Sequence, residues 1–137
     1  IIQMLLQGGE YGGVKFIEQN TIDEFTKQQF PLNNNRRGIG FDKPEPELWD
    51  EGPTCKSASA ESYGHTGFTG TIAWADPKYN LVYIFLSNRT YPSAQNTKLI
   101  KMRTRKEIQQ VIYDAFLNAE ISKIKKEEIG SAPVKVQ

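Results

Sequence analysis

The chain has 137 residues, 38% of them hydrophobic and 24% charged, a balance that fits one folded domain rather than a disordered or membrane-embedded segment. Seventeen basic residues against sixteen acidic ones leave a net charge of +1, so no overall field attracts nucleic acid. A single cysteine, Cys55, excludes an internal disulfide, and with one histidine a metal site would depend almost wholly on carboxylates, so we expect no metal and no cofactor.

The opening segment, IIQMLLQGG, predicts the last turns of a helix that is stopped at Gly8 or Gly9. No residue caps this helix before Ile1, so we expect the chain to be a fragment of a longer protein. The same residues lack the basic region and cleavage site of a signal peptide. No stretch of the sequence is long and apolar enough to span a bilayer.

Two elements are predicted before a long loop. The segment TIDE (Thr21–Glu24) has the pattern of a capping box and predicts a short helix that ends near Phe30. Residues 36–43, RRGIGFDK, alternate enough to predict a strand. The Pro-, Glu-, Gly- and Ser-rich residues 44–60 predict a long surface loop.

Three strands are predicted next, at residues 62–66 (SYGHT), 71–76 (TIAWAD) and 81–87 (LVYIFLS). The last of these is almost entirely apolar, which predicts a central strand buried on both faces. The turn residues Asp76–Asn80 predict an antiparallel hairpin between the second and third strands.

A long helix follows, opened by a basic run from Lys98 to Lys106 that we interpret as a solvated face. Its apolar residues recur at helical spacing and are expected to pack on the sheet: Ile108, Val111, Ile112, Ala115 and Phe116. We expect residues 1–118 to form the domain and the lysine-rich residues 119–137 to fray into a tail. Together these elements predict an α+β architecture, an antiparallel sheet covered by helices.

The only histidine lies in the triplet His65-Thr66-Gly67, at the mouth of the predicted hairpin. Glycines let the backbone approach a ligand closely, and the N–H groups of Gly67, Phe68 and Gly70 suit an oxyanion or a carboxylate. A histidine and a hydroxyl beside them can shuttle a proton or hold a carboxylate. The alternative is a His-Thr pair with a structural role in the hairpin.

Cys55, ten residues before His65, has two interpretations. It is either an ordinary loop cysteine or a nucleophile that uses the histidine as its base. No residue near it in the sequence visibly activates the thiol, which favours the ordinary role.

The order of strand, HTG, hairpin, SNRTYP and terminal helix resembles the end of the penicillin-recognising serine hydrolases, which include class C β-lactamases, D-alanyl-D-alanine carboxypeptidases and related esterases. Their third signature is K-T-G on an edge strand, and H-T-G is a known variant. Residues 4–17 (MLLQGGEYGGVKFI) and Asn88–Pro92 also look like segments of this family. The resemblance covers most of residues 1–118 and is closest to bacterial domains fused behind a family 3 glycoside hydrolase domain.

This resemblance implies the C-terminal part of a β-lactamase-like α+β fold, an acyl-enzyme mechanism and a location outside the cytoplasm. It implies that His65 and Thr66 are catalytic, the first in the place of the motif lysine and the second offering its hydroxyl to the substrate carboxylate. Gly67 and Phe68 would bind substrate, Gly67 by leaving the strand bare and Phe68 by giving one N–H to the oxyanion hole. The implied partners are the rest of the domain and a small peptide, ester or β-lactam. The fragment interpretation adds a second copy, bound through an exposed apolar face.

The sequence also departs from the family pattern. The nucleophile motif S-x-x-K occurs only at Ser122–Lys125, after the triplet, where we interpret it as a chance match, and Y-x-N and S-x-N are absent. We therefore expect this chain to be inactive by itself. Thr90, Ser93 and Asn96 stand where class C β-lactamases place asparagines and an arginine, which favours a peptidase or esterase over a β-lactamase.

Two other functions stay open at this point. A degenerate domain of the same fold could bind a cell-wall peptide or a partner without turnover, and an upstream sequence without S-x-x-K would favour it. An unrelated small α+β interaction domain would fold stably by itself, whereas a fragment would expose an apolar face.

Overall fold

The computed structural model describes residues 1–33, 35–45 and 51–130. Within these ranges the α-helices are α1 (Ile2–Leu6), α2 (Gln19–Thr26), α3 (Lys98–Lys101) and α4 (Thr104–Gly130). The strands are β1 (Glu10–Tyr11), β2 (Val14–Lys15), β3 (Tyr63–Thr66), β4 (Ile72–Asp76) and β5 (Leu81–Phe85). The architecture is α+β, as predicted.

The larger sheet has the order β3-β4-β5, and both of its pairings are antiparallel. Residues Pro77–Tyr79 form a 3₁₀ turn between β4 and β5. Asp76 Oδ1 accepts a hydrogen bond from Lys78 N at 3.1 Å, and Asn80 has the left-handed φ of 48° that closes such turns. The predicted hairpin is therefore confirmed.

Two buried clusters lie against opposite faces of this sheet. Because side chains alternate along a strand, β4 contributes Ala75 to one cluster and Ile72 and Trp74 to the other. The first cluster packs Leu5 of α1 and Ile22 of α2 on the sheet, and the second adds Tyr83 of β5 together with the half-buried Phe85. The sheet that carries the triplet therefore has buried side chains packed on both of its faces.

Local signals for helix ends gave one correct and one wrong prediction. The glycine stop after α1 is confirmed, since Gly8 and Gly9 have φ of 71° and 88° and Gly9 N bonds Met4 O at 2.9 Å. The capping box is wrong, because α2 begins at Gln19 with Glu18 as its N-cap and already ends at Thr26. Thr21 lies inside the first turn instead.

Three predictions of burial and strand structure are also wrong for the residues described. Strand β5 lies at an edge of the sheet rather than in its centre, and Ile84 is 56% exposed. Residues 36–43 form no regular strand; only Asp42 makes an isolated bridge, to Gly64. On α4 the buried side chains are Gln109 and Tyr113, whereas Val111 of the predicted stripe is 67% exposed.

The two buried side chains of α4, Gln109 and Tyr113, both make hydrogen bonds to other parts of the fold. Gln109 Oε1 accepts a hydrogen bond from Cys55 N at 2.8 Å, and the Tyr113 hydroxyl donates to Asp76 Oδ2 at 2.6 Å. Of the predicted stripe, Phe116 packs edge-on against Tyr79 of the β4–β5 turn at a centroid distance of 5.8 Å, whereas Ile108, Val111 and Ile112 are exposed. α4 runs on to Gly130, and the division of the chain at residue 118 stays a prediction.

The predicted loop at residues 44–60 falls partly outside the described residues. In the described ranges, no helix has the length and apolar character needed to cross a membrane.

Candidate active site at the H-T-G triplet

The triplet lies where β3 ends and the chain turns toward β4. His65 is exposed and Thr66 is half-buried, so neither side chain is sealed in the core. Gly67 N donates to Thr71 O at 2.9 Å, and Gly70 N donates to Gly67 O at 2.9 Å, which closes a tight turn. Gly70 has a φ of 94°, a conformation that glycine adopts without strain.

This turn leaves the backbone N–H of Phe68 available. Phe68 occupies the second position of the turn, whose amide takes no part in the turn's own hydrogen bond. Among the described residues, the Phe68 amide donates to no other group. The Phe68 ring is 74% exposed, and the Arg89 guanidinium carbon lies 4.8 Å from its centroid. The turn therefore presents a free donor at the protein surface.

The outer edge of β3 is open next to this donor. Gly64 exchanges two backbone hydrogen bonds with Asp42, at 2.7 and 3.1 Å, on the side away from β4. Backbone groups of an antiparallel strand alternate in direction, so the N–H and C=O of Thr66 point to that same outer side. An extended acyl chain could add to the edge at the Thr66 N–H, whereas the Thr66 carbonyl already has His65 Nδ1 as a partner at 2.8 Å.

Both ring nitrogens of His65 have partners. Nδ1 lies 2.8 Å from the Thr66 carbonyl oxygen, and Nε2 lies 3.2 Å from Nη1 of Arg37. A carbonyl only accepts and a guanidinium only donates, so these partners assign the proton to Nδ1 and the lone pair to Nε2. Arg37 is 28 residues away in sequence, and no sequence motif indicates that it reaches the histidine.

A buried carboxylate organises the arginines beside the histidine. Asp42 is 2% exposed, and its Oδ1 lies 2.8 Å from Arg36 Nε and 3.6 Å from Arg37 Nε. Arg36 Nη2 donates to Oδ2 at 3.2 Å, and Lys43 N donates to Oδ1 at 3.0 Å. A buried carboxylate requires such partners, and here two guanidinium groups share one negative charge.

A cleft of about 300 Å³ opens between Thr66 and these arginines. Its charged lining residues are mostly basic: Arg36, Arg37, Arg103, Arg105 and Lys106, with Asp42 and Glu51 as the acidic ones. A smaller cleft of about 250 Å³ adjoins it and is lined by Gly67, Phe68, Gly70 and Arg89 together with Thr66 and Arg105. The site therefore suits an anionic ligand.

Arg105 shows that the basic run at residues 98–106 is more than a solvated face. Its Nη1 donates to the carbonyls of Gly70 and Thr71 at 3.3 and 3.2 Å, which ties α4 to the turn of the triplet. Burial lowers the pKa of Arg105, and the neighbouring charge of Arg89 acts in the same direction. The interpretation as a solvated face is wrong for this residue.

The remaining candidates fall outside this site. Cys55 is 3% exposed and burial raises the pKa of its thiol, which favours the ordinary structural role over a nucleophilic one. Ser122 is exposed on α4 and donates its hydroxyl to Asn118 O at 2.8 Å, as a chance motif match would allow. Thr90 donates within its own loop, to Asn88 Oδ1 at 2.8 Å. No cluster of three potential metal ligands occurs in the part of the chain that the structure describes.

Comparisons with known proteins identify the family of this chain. Residues 15–103 match the family model described as Beta-lactamase. Relatives assigned by inference as D-alanyl-D-alanine carboxypeptidases, from Salmonella paratyphi B and Salmonella newport, are 31% identical over 104 residues, which make up 72% of this chain and 22% of each relative. The chain thus spans about a fifth of the length of the curated relatives it matches.

A solved structure shows the same fold. The crystal structure of a β-lactamase from Mycobacterium bovis aligns with a TM-score of 0.55 at 21% identity, and the match covers 82% of this chain and 40% of that chain. The predicted α+β fold of β-lactamase type is confirmed. With the family model matching more than half of its residues, this chain belongs to the β-lactamase family of serine hydrolases.

Proposed function

We propose that this chain forms the H-T-G wall of an acyl-transfer site in a penicillin-recognising serine hydrolase that acts on a small peptide or ester. The observation that carries the proposal is the Phe68 N–H, which is unused at the surface beside Thr66 and the free edge of β3. An acyl-enzyme reaction needs such a preorganised donor for the negative oxygen of its tetrahedral intermediate.

Each residue of the wall has one role in this proposal. The Phe68 N–H holds the acyl oxyanion, and the bare backbone at Gly67 lets the acyl chain lie along β3. Thr66 lines the basic cleft, and its hydroxyl donates to the substrate carboxylate. His65 takes the place of the motif lysine and orders the groups beside that carboxylate. The cleft's arginines add the positive charge that an anionic substrate needs.

The nucleophile is assigned to sequence outside these 137 residues. The chain has no S-x-x-K before the triplet, and it spans 22% of its carboxypeptidase relatives. We propose that the preceding part of the protein supplies the serine, its base and the second oxyanion donor. A family 3 glycoside hydrolase domain further upstream, and a location outside the cytoplasm where cell-wall peptides occur, belong to the same proposal. The coding sequence before Ile1 tests all of these points.

Exposed apolar surfaces indicate where that part would pack. A groove of about 640 Å³ between α1 and β5 is lined by Ile1, Ile2, Leu6, Val82 and Ile84, and α4 exposes Ile108, Val111 and Ile112. We propose that the rest of the domain covers both. Size-exclusion chromatography and hydrophobic-dye binding on the 137-residue chain test this idea, and a monomer that binds no dye would contradict it. A stable dimer would instead assign the surface to a second copy.

The catalytic proposal is tested on the whole-domain polypeptide, meaning residues 1–137 joined to the preceding sequence. Thr66→Val and His65→Ala are compared with Thr21→Val, a matched change at an exposed position of α2. Loss of a hydrogen bond to a charged group lowers acylation about 10- to 100-fold. The measurements are acylation by a fluorescent penicillin and turnover of a chromogenic ester. Unchanged rates in both triplet variants would refute the proposal, whereas reversible peptide binding with neither acylation nor turnover in the wild type would indicate a non-catalytic module.

A further inference from the structure

The imidazole of His65 carries no free donor in this structure. Its Nδ1 proton is directed to the Thr66 carbonyl at 2.8 Å, and its Nε2 accepts from Arg37 Nη1 at 3.2 Å. A lysine at this position would bring three donors and a positive charge, whereas both ring nitrogens of this imidazole are already directed at protein groups. A positive charge lies directly against the ring, because Arg37 Nη1 is 3.2 Å from Nε2.

We propose that Arg37 is a positioning and specificity residue that supplies the positive charge of the motif lysine from 28 residues upstream. This inference rests on the proposed function. His65 then has a structural role, because its ring contacts the Arg37 guanidinium on one side and the Thr66 carbonyl on the other. The ligand that this charge selects is the free carboxylate of an acyl donor, held between Arg37 and the Thr66 hydroxyl.

Backbone hydrogen bonds fix the position of Asp42, the carboxylate that contacts Arg37, relative to β3. Asp42 exchanges two backbone hydrogen bonds with Gly64, so its carboxylate is set one residue from His65 along the same strand edge. That carboxylate accepts a hydrogen bond from Arg36 Nη2 at 3.2 Å, and its Oδ1 lies 2.8 Å from Arg36 Nε and 3.6 Å from Arg37 Nε. Two guanidinium groups thus share one carboxylate, which leaves an excess positive charge beside the imidazole.

The Arg37 side chain also borders the space where a ligand would bind. It is 48% exposed and lines the same cleft as Thr66. The longer contact to Asp42 and the greater exposure distinguish Arg37 from Arg36, whose side chain is 34% exposed and bound more closely. Arg36 secures the carboxylate, and Arg37 extends from it to the site.

The test compares two substrates on the whole-domain polypeptide. One is an acyl-D-alanyl-D-alanine peptide with a free carboxylate, and the other is its methyl ester, which lacks that charge. We expect Arg37→Gln to raise KM for the free acid about 10-fold and to change KM for the methyl ester less than about twofold. Arg37→Lys should restore most of the loss. Arg36→Gln removes a charge from the same carboxylate but not the group that contacts His65, so its effect on KM for the free acid should be clearly smaller than that of Arg37→Gln.

An equal loss on both substrates in Arg37→Gln, or no recovery in Arg37→Lys, would overturn the assignment. A spectroscopic measurement separates this failure from failure of the proposed function. In ¹⁵N-histidine-labelled protein, the signals lost in His65→Gln belong to His65, and we expect its Nδ1-protonated tautomer in the wild type and a mixture of tautomers in Arg37→Gln. A spectrum that does not change in Arg37→Gln would refute the Arg37–His65 contact, whether or not the enzyme turns over any substrate.

Discussion

Tyr113 of α4 donates its hydroxyl to Asp76 at the end of β4, over 2.6 Å and between two buried side chains. The same carboxylate accepts from Ser59 N at 2.9 Å, Ser59 Oγ at 2.6 Å and Lys78 N at 3.1 Å. Burial raises the pKa of Tyr113, and its bond to Asp76 acts in the same direction. One carboxylate therefore holds a loop, the hairpin turn and the long helix together.

Tyr113→Phe should destabilise the fold. It removes one donor from a buried carboxylate that keeps three others, so we expect a loss of about 1–3 kcal/mol in the free energy of unfolding. Urea denaturation of the whole-domain polypeptide measures this loss. Tyr11→Phe, at a 55% exposed position of β1, is the matched control and should change stability by less than about 0.5 kcal/mol. Equal effects in the two variants would show that the bond contributes nothing.

Tyr63 should make the fold sensitive to alkali. Burial raises its pKa to about 12, and the negative charge of Asp23 contributes. Below pH of about 10 the phenol is protonated in both the folded and the unfolded chain. As pH rises from there, the unfolded chain releases the proton and the folded chain does not, so stability falls by about 1 kcal/mol per pH unit until the folded group also ionises.

Comparison with Tyr63→Phe isolates this effect, because the other alkaline groups are common to both proteins. Lys43, whose pKa is lowered by burial, acts in the opposite direction but cancels in the difference. We expect the variant to lose about 1 kcal/mol less than the wild type between pH 9 and pH 11 in urea denaturation. Parallel pH profiles would contradict the raised pKa.

Gly64 should tolerate no side chain. A Cβ there would collide with the Ala73 carbonyl and the Trp74 ring, neither of which can move without disturbing the sheet. Gly64→Ala should cost about 1–3 kcal/mol or more by overpacking. In Gly67→Ala the added carbon meets only the Thr71 hydroxyl, which can rotate away, so the loss of stability should be smaller. Denaturation midpoints that fall in the reverse order would show that the edge of β3 adapts.

The features that were predictable from the sequence depend on local chemistry. The glycines after α1 and the Asp76–Asn80 turn have their conformations set by a few neighbouring residues. The edge position of β5 was not predictable in this way. An apolar run indicates that a strand is buried, but it does not show which neighbouring strands or helices cover it. The buried face of α4 depends on Asp76 and Cys55, which lie far away in sequence, and periodicity contains no information on such polar contacts.

The same distinction holds at the site. A histidine, a hydroxyl and glycines in consecutive positions indicate His65 and Thr66 without any tertiary information. Arg37 and Arg105 reach the site from 28 and 35 residues away, and only the fold brings them there. Adjacent arginines in RRGIGFD are a weak signal that could have suggested one of them, but nothing in the sequence pairs Arg37 with the histidine.

The amide of Phe68 can be deleted without deleting the turn. Proline lacks the N–H and is favoured at the second position of a tight turn, and the preceding Gly67 accommodates the restriction that proline imposes. Phe68→Pro in the whole-domain polypeptide should therefore keep the fold, while loss of one oxyanion donor should lower kcat about 100- to 1,000-fold on a chromogenic ester. Phe68→Ala keeps the amide and loses the exposed ring, so its kcat should stay within about threefold of the wild type. A Phe68→Pro enzyme with an unchanged thermal midpoint and unchanged kcat would refute the oxyanion role, because the donor would be absent and the reaction unaffected.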